Sequence, residues 1–390
     1  MRIVVAHESA GTEGGVEAYL VSVIERLRDR GHQIALLYHR RSKTGGPLRT
    51  SPHIAIGVEE RGADAAFEDL RNWRPDVAFS HNMGPLAVDR RLLERWPVVK
   101  MLHGYFGTCV SGLKMHAFPS ARACGRTFGP ACLALYFPRR CGQLTPAAMV
   151  RGFRWAVEQR EMFSRYAAVV VASRHMGEEM TRHGVRGDAL KVVPLFSTVS
   201  GTAVAGRGEP DTVLFAGRMT SLKGGHVLIG AAARTARILG RPVRLLMAGD
   251  GPQKEDWRNL ASSLGVQIEL TGWVRLEDRA RVYARGLFAV VPSLWPEPFG
   301  LVGLDTASLG RPSVAFDVGG IGEWLTDGLN GRLVRPDEGE AGLARAIASL
   351  LDDPHERERM GQRALDVSHR MSIRAHVDRL EAILGGATPA

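Results

Sequence analysis

The sequence has no long apolar run and few aromatic residues. Of its 390 residues, 7% are aromatic, 45% are hydrophobic and 24% are charged, as in a soluble globular protein. No apolar run approaches the roughly 20 residues that a membrane-spanning helix needs. The apolar part of the first six residues is too short for a signal peptide and fits a buried strand better. We therefore expect a cytoplasmic protein.

Cysteines are also scarce, and all of them lie close together. The four are Cys109, Cys124, Cys132 and Cys141. A cytosolic chain disfavours disulfides, and four thiolates suit a structural zinc ion. However, the gaps of 14, 7 and 8 residues contain no C-x2-C knuckle, so the spacing is not diagnostic. Two interpretations stay open: a metal site, and free thiols with or without a redox-sensitive pair.

The chain length and the pattern of apolar runs predict two α/β domains. Short buried runs alternate with helical stretches, which indicates parallel sheets covered on both faces. Strands are predicted at 3–6, 34–38, 77–80, 98–102, 167–172 and 192–194, and then at 213–216, 243–248, 268–270, 288–291 and 313–316. The polar, glycine-containing segment 197–210 between the two sets is predicted to be an interdomain linker. After Met371, the apolar spacing predicts a terminal amphipathic helix.

The most informative segment is 297–305, with the sequence EPFGLVGLD. A buried strand is predicted just before it, and a helix is predicted to begin near Gly300. The free N–H groups of Gly300, Leu301 and Val302 would then form an anion site suited to a diphosphate. Glu297 would lie beside that anion, facing a sugar. Asp305 would lie one turn into the helix, where a carboxylate accepts hydrogen bonds from a ribose.

This segment resembles the E-x7-E signature of retaining glycosyltransferases of family 4, which have the GT-B fold. The resemblance continues through GRPSVA at 310–315 and GGIGE at 319–323. It departs from the family at Asp305, where the family usually has Glu. The resemblance implies two Rossmann-like domains facing a cleft: an acceptor-side domain over 1–196, a nucleotide-sugar domain over 211–370, and a helix over 371–390 that returns to the first domain. Phe299 is then part of the donor-binding segment.

A basic loop after the first strand of the second domain supplies two cations. Arg218 offers a planar fork and Lys223 a mobile point charge, and both can reach a diphosphate. The spacing resembles the G-R-x4-K element of the family. Because negative charge develops on the leaving diphosphate, this pair would stabilise the transition state as well as bind the donor. No D-x-D motif lies near the predicted site, so we expect an enzyme that needs no metal ion and no further cofactor.

Two glycine turns follow the next strands. Gly249 and Gly251 form a tight turn that suits close backbone approach by a ligand. Trp273 and Val274 lie where the resemblance implies that backbone atoms bind the base. Glycine turns after strands are common, so both segments also have a purely structural interpretation.

In the first domain, Gly14 and Gly15 join the first strand to the first helix and resemble the G-G-x-E loop of the family, which contacts the donor phosphate. Helix capping explains these glycines equally well. His103 ends a strand where the resemblance implies a contact with the transferred sugar. His7 and His81 also lie near strand ends, and their pattern favours a structural role.

The net charge of +10 is concentrated in one segment. Between Lys100 and Arg165 there are ten Lys or Arg against two Glu. No nucleic-acid motif accompanies them and the aromatic residues form no stacking array, so a nucleic-acid partner is not expected. The resemblance favours an anionic membrane surface, at the inner face of the cytoplasmic membrane, or an anionic acceptor, and the alternative is a solvated basic face. The cysteine-containing part, about 104–150, has no counterpart in the common core of the family and is interpreted as an acceptor-side insertion.

These observations predict a retaining hexosyltransferase that transfers a sugar from a nucleoside-diphosphate sugar to a glycan or lipid-linked acceptor. The resemblance suggests a role in glycolipid, polysaccharide or cell-envelope glycan synthesis. One alternative is a sugar-nucleotide epimerase of the same fold, which would need an acid/base pair that we do not find. Another is a non-catalytic nucleotide-sugar-binding or scaffold protein. An NAD-dependent oxidoreductase is disfavoured because no G-x-G-x-x-G opens either half.

Overall fold

The chain folds into two compact units. The computed structural model describes residues 1–11, 14–41, 52–199 and 208–388. The N-terminal unit comprises Met1–Ser120, Cys124–Pro194 and Ile373–Ala390, and the C-terminal unit comprises Ala121–Ala123 and Leu195–Ser372.

The N-terminal unit contains a seven-stranded parallel sheet. Its strands are β1 (Arg2–Ser9), β2 (Gln33–Arg40), β3 (Ile54–Gly57), β4 (Val77–Ser80), β5 (Val98–Leu102), β8 (Ala168–Val171) and β9 (Leu190–Val192), with the short strands β6 (Met115–His116) and β7 (Arg122–Ala123) lying between β5 and β8 in sequence. The order across the sheet is β3-β2-β1-β4-β5-β8-β9. The direction of strand progression therefore reverses between β1 and β4.

Helices cover this sheet. They are α1 (Gly15–Asp29), α2 (Val58–Arg61), α3 (Ala63–Trp73), α4 (Leu86–Leu93), α5 (Ala131–Arg139), α6 (Pro146–Met162), α7 (Arg174–Arg182) and the terminal α14 (Ile373–Ala387). The hydroxyl group of Tyr19 on α1 lies 2.8 Å from Nε2 of His376 on α14. Nδ1 of His376 lies 2.8 Å from the carbonyl oxygen of Pro194. These two polar contacts fix α14 on the N-terminal unit.

The C-terminal unit repeats the same topology with six parallel strands. They are β10 (Thr212–Ala216), β11 (Arg244–Ala248), β12 (Gln267–Gly272), β13 (Ala289–Val291), β14 (Ser313–Phe316) and β15 (Gly331–Val334), in the order β12-β11-β10-β13-β14-β15. Its helices are α8 (Gly225–Leu239), α9 (Lys254–Ser263), α10 (Arg279–Tyr283), α11 (Leu301–Ala307), α12 (Gly339–Asp352) and α13 (Pro354–Arg370). Here the direction of strand progression reverses between β10 and β13.

The predicted fold class, two doubly wound parallel-sheet units, is confirmed. Ten of the eleven predicted strands overlap an observed strand over most of their length. The exception was predicted at 192–194, whereas β9 ends at Val192 because the chain there runs on towards the linker. The sequence prediction missed β3 and β15, both at sheet edges, and the two-residue strands β6 and β7. Of the predicted linker 197–210, residues 200–207 lie outside the described residues.

Three further predictions concern membranes, cysteines and metals. No helix in the described part of the chain has both the length and the apolar character needed to cross a membrane. The four cysteines are free and partly buried. Within the described residues, no three His, Cys, Asp or Glu side chains are grouped as they would be around a metal ion.

Candidate functional site

An ion pair lies at the strand-order reversal of the C-terminal unit. Nζ of Lys223 lies 2.6 Å from Oε1 of Glu297. Lys223 ends a short 3-10 turn after β10, and Glu297 follows β13. The N–H of Leu294 donates to the carbonyl oxygen of Leu222 at 2.9 Å, which joins the two loops. Ligands of doubly wound sheets bind at the carboxyl ends of strands at this reversal, so the pair occupies the expected ligand position.

Glu297 is held from three sides. Its side chain is 6% exposed, and the hydroxyl group of Ser293 donates to Oε1 at 2.6 Å. Its carbonyl oxygen accepts the N–H of Gly320 at 2.7 Å. Gly319 has a φ of +60°, and a Cβ there would overlap the backbone of Glu297. A glycine at position 319 is thus needed for the close approach that positions this carboxylate.

Arg218 lies on the same edge of the sheet as Lys223. It is exposed, and within the described ranges its guanidinium group makes no ion pair. Its loop is hydrogen-bonded to the next loop, since Met219 N–H donates to the carbonyl oxygen of Asp250 at 2.8 Å. An unpaired guanidinium group beside an ammonium group is suited to bind a diphosphate.

The predicted base-side residues lie on the two following loops. Gly249 has a φ of +143° and packs so closely on the loop after β10 that a Cβ would overlap the carbonyl oxygen of Gly217. Its N–H donates to the carbonyl oxygen of Gly272 at 2.8 Å. Gly251 lies in the same turn. Trp273 and Val274 follow β12 directly, and Trp273 is half exposed. Backbone hydrogen bonds therefore join the loops after β10, β11 and β12.

The predicted anion-binding segment begins a short helix. Gly300 caps α11 with a φ of +84°, followed by Leu301 and Val302 in its first turn. Phe299 is buried, and its carbonyl oxygen accepts the indole N–H of Trp324 at 2.7 Å. The Phe299 side chain therefore belongs to the core, and the N–H groups that follow remain the predicted donors.

Asp305 lies one turn into α11, and its carboxylate accepts hydrogen bonds from other residues of the protein. Oδ1 accepts the hydroxyl group of Ser197 and the N–H of Thr198, each at 2.9 Å. The residue is 2% exposed, and burial raises the pKa of its carboxyl group, opposed by Arg279 and these hydrogen bonds. Asp305 anchors the start of the predicted linker in this structure, and its contact with a ribose stays a prediction.

The predicted donor-side residues of the first domain lie in the N-terminal unit. Gly14 and Gly15 form the start of α1. Nε2 of His103 lies 3.0 Å from Nδ1 of His81, and the two rings stack at 26°. Burial, then the charges of His7, Lys100 and His376, lower the pKa of His103 to about 3, which keeps the ring neutral at pH 7.

Sequence analysis missed Ser293 and Trp295. Trp295 lies beneath the cation, with Nζ of Lys223 4.9 Å from the ring centroid. Both residues lie in the segment SLWP, which the sequence analysis identified only as the break after a strand. A hydroxyl group four residues before a carboxylate is too common a pattern to indicate a hydrogen bond.

Family models match both halves of the chain. Residues 13–196 match the model described as Glycosyltransferase Family 4, and residues 210–353 match the model described as Glycosyl transferases group 1. The HepE structure of Anabaena, solved in complex with UDP and glucose, aligns with a TM-score of 0.73 at 19% identity over 99% of each chain. This likeness identifies the fold as GT-B.

Sequence relatives identify the family. The D-inositol 3-phosphate glycosyltransferase of Stackebrandtia nassauensis is 34% identical over 97% of this chain and 88% of that protein. The alpha-D-kanosaminyltransferase of Streptomyces kanamyceticus is 34% identical over 46% of each chain. For several relatives of this kind the match spans about half of their length or less. The chain belongs to the glycosyltransferase family defined by these models and relatives.

Proposed function

We propose that the protein transfers a sugar from a nucleoside-diphosphate sugar to an acceptor hydroxyl group, with retention at the anomeric carbon. The observation that carries this proposal is the pairing of Lys223 with Glu297 at 2.6 Å, beside the exposed Arg218, at the strand-order reversal. Family membership supports glycosyl transfer, and relatives that include a lipopolysaccharide core glycosyltransferase support a role in glycan or cell-envelope synthesis.

The ion pair suggests how the donor engages the site. In this structure Lys223 and Glu297 neutralise each other. A bound diphosphate competes for the ammonium group of Lys223, with Arg218 as second cation. Glu297 then accepts hydrogen bonds from the sugar hydroxyl groups. As the bond to the diphosphate breaks, charge grows on the leaving group and the fixed cations stabilise it. The leaving phosphate takes the proton of the acceptor hydroxyl on the same face of the sugar.

The remaining donor contacts belong to the same proposal. The turn at Gly249 and Gly251 and the backbone at Trp273 and Val274 would bind the nucleoside, and N–H groups of Gly300 to Val302 would assist at the phosphate. His103 would contact the transferred sugar as a neutral imidazole, and Gly14 and Gly15 would approach the donor phosphate. Asp305 would reach the ribose only by releasing hydrogen bonds to Ser197 and Thr198.

We further propose that segment 100–165 contacts an anionic membrane at the cytoplasmic face. Four large apolar side chains are exposed here: Phe118, Phe137, Leu144 and Val150. The guanidinium group of Arg140 lies 5.5 Å from the Phe118 ring centroid. On α6, Val150, Arg151 and Arg154 are exposed at a spacing that places them on one face. Exposed apolar residues beside unopposed arginines fit an anionic lipid surface.

The donor proposal is tested by a thermal-shift screen of nucleoside diphosphates and their sugars. A ligand at about 100 times its Kd adds roughly 2.7 kcal/mol of stability. We expect one nucleotide sugar to stabilise the protein, and Arg218→Ala to abolish this stabilisation. Arg258→Ala, at another exposed arginine of the C-terminal unit, is the matched control. If no nucleotide shifts the melting temperature, the proposal fails and the scaffold hypothesis replaces it.

Product analysis separates the remaining hypotheses. NMR of the reaction with the selected donor should show a new glycoside with the anomeric configuration of the donor, and the reaction should persist in EDTA. Conversion of the donor to another nucleotide sugar without an acceptor would instead identify an epimerase. An inverted product would contradict retention.

Membrane contact is tested by sedimentation with vesicles of phosphatidylglycerol and phosphatidylcholine. We expect binding that falls with salt and is lost in the double variant Arg151→Glu/Arg154→Glu, since each basic residue contributes about 1 kcal/mol near an anionic surface. The double variant Arg374→Glu/Arg379→Glu, at two exposed arginines of α14, changes the charge by the same amount and is the control. Equal binding to pure phosphatidylcholine, or no effect of the double variant, would contradict the proposal.

A further inference from the structure

Two histidines of the N-terminal unit share a hydrogen bond between their rings. His81 follows β4 and His103 follows β5, and Nδ1 of His81 lies 3.0 Å from Nε2 of His103. His81 is 0% exposed, whereas His103 is partly exposed. His81 therefore does not touch a ligand itself, and it can act on one only through His103.

The ring of His81 is held in place from several sides. The carbonyl oxygen of His81 accepts a hydrogen bond from the buried ammonium group of Lys100, which fixes the main chain. The centroid of the His81 ring lies 4.2 Å from that of Phe79 and 5.9 Å from that of Tyr19, in both cases edge to face. Because the main chain and the ring are both held, Nδ1 of His81 has a fixed direction towards His103.

Both rings are neutral near pH 7. Burial, and then the charges of the neighbouring histidines and of Lys100, lower the pKa of His81 well below its usual value. Burial and the same kind of neighbours lower the pKa of His103 to about 3. A neutral imidazole ring has one N–H donor and one acceptor nitrogen. The hydrogen bond between the rings therefore allows two arrangements, which differ in the ring that donates.

The second ring nitrogen of His81 distinguishes the two arrangements. Nε2 of His81 is buried and has no hydrogen-bond partner among the described residues. If His103 donated to His81, this Nε2 would carry a buried N–H group without an acceptor, whereas donation by His81 leaves only an unused lone pair there. Buried main-chain N–H groups without an acceptor are rarer than carbonyl groups with an unused lone pair, and the same cost of burial applies to an imidazole ring. The structure therefore favours donation from Nδ1 of His81 to Nε2 of His103.

Donation by His81 determines which nitrogen of His103 carries the proton. Because Nε2 of His103 accepts the hydrogen bond, the single N–H group of this ring is at Nδ1. In the part of the chain that the structure describes, Nδ1 of His103 has no hydrogen-bond partner and is not fully buried. His103 thus presents a neutral N–H donor. A hydroxyl oxygen can accept its hydrogen bond, whereas an ammonium group has donors only.

We propose that His81 is a positioning residue, which holds His103 in the tautomer with the proton on Nδ1 and so presents an N–H donor to a hydroxyl oxygen of the transferred sugar. That the ligand is this sugar rests on the proposed transfer reaction, whereas the tautomer does not. The proposal follows from the distance between the rings, the burial of His81 and its unpartnered Nε2.

Nitrogen-15 NMR of the full chain tests the tautomer. Long-range proton–nitrogen spectra of the protein labelled at histidine, with signals assigned through His103→Gln, distinguish a protonated ring nitrogen from one with a lone pair. We expect both His103 and His81 to be protonated at Nδ1 at pH 7. A proton on Nε2 of His103 in the wild type would overturn the proposal. The measurement needs no donor substrate, so its outcome is independent of whether the transfer reaction is confirmed.

Two variants of nearly equal size separate hydrogen bonding from packing. His81→Asn keeps an N–H donor near the position of Nδ1, and His81→Leu has a similar shape without a donor. We expect His81→Leu to lose the Nδ1 tautomer of His103 and to have a kcat/KM about fivefold below that of His81→Asn, the effect of one hydrogen bond. His355→Leu, at an exposed histidine of α13, is the control and should change neither property. Equal kcat/KM in the Asn and Leu variants would overturn the positioning role, and the wild-type spectrum still tests the tautomer if either variant misfolds.

Discussion

The two units share a strand order but place different chemistry at its reversal. In the C-terminal unit, closely packed glycine loops surround Lys223, Glu297 and an exposed Arg218. In the N-terminal unit, the buried His7 and His81 and the aromatic pair of Phe106 and Trp155 line a cavity. The two units therefore share one strand order, whereas the loop residues at its reversal differ in charge and in polarity.

The largest effect is expected when the ammonium group of Lys223 is removed from the C-terminal unit. Lys223→Met should lower kcat by about 10²–10³-fold, the range for loss of one group that stabilises transition-state charge. Steady-state kinetics with the selected donor measure this effect. Lys191→Met, on the exposed strand β9, is the control. If the variant has a higher KM and an unchanged kcat, Lys223 contributes only to binding of the ground state.

Acid should affect the N-terminal unit first. Burial lowers the pKa of His376 to about 4 and that of His103 to about 3, each from 6.5. The unfolded chain therefore binds more protons, and stability falls as pH decreases from 6.5 towards 4, by roughly 1–3 kcal/mol for each histidine. Hydrogen exchange at pH 5 should show loss of protection in α1 and α14 before α12.

The variant His376→Gln tests whether this histidine contributes to the loss of stability in acid. It should reduce the pH dependence of exchange in α14 while lowering stability at pH 7, because the contacts with Tyr19 and Pro194 are weakened. If hydrogen exchange in α14 depends on pH as it does in the wild type, His376 does not cause the acid sensitivity.

Loss of the Asp305 carboxylate should destabilise the C-terminal unit. Asp305→Ala leaves the part-buried N–H of Thr198 without its acceptor and removes one acceptor of the Ser197 hydroxyl group, at a cost of about 1–3 kcal/mol. Urea unfolding measures this cost, with the exposed Asp366→Ala as control. If stability is unchanged but donor affinity falls tenfold, Asp305 acts on the ribose as the sequence predicted.

The smallest effect is expected for Ser293, whose hydroxyl group donates a hydrogen bond to Glu297. Ser293→Ala removes one hydrogen bond of about 1 kcal/mol and leaves the Lys223 pair intact, so kcat should fall about fivefold with little change in KM. Ser263→Ala on α9 is the matched control. A rise in KM without a change in kcat would contradict a positioning role.

Much of the fold was predictable because buried strands leave a strong signal. Strands β5 and β14 were predicted to the residue, since each mostly apolar run follows a proline and ends before a polar residue. Strands β3 and β15 were missed because edge strands are short and only partly buried.

Candidate site residues could be predicted where each one lies in a recognisable local motif of its own. Glu297 and Lys223 followed from local motifs. The partners of Asp305 lie 107 and 108 residues away, and the partner of Trp155 at Gly84 lies 71 residues away. No local pattern reports such contacts, which arise only when the strands align.

The hydrogen bonds among the loops after β10, β11 and β12 have a practical consequence. The backbone N–H groups of Gly217, Met219 and Gly249 donate to the carbonyl oxygens of Ala248, Asp250 and Gly272, respectively. Each loop therefore helps to fix the conformation of its neighbour. Exchanging a single loop with that of a relative would break bonds in its neighbours. Loop exchange in this unit therefore calls for transplanting all three loops together.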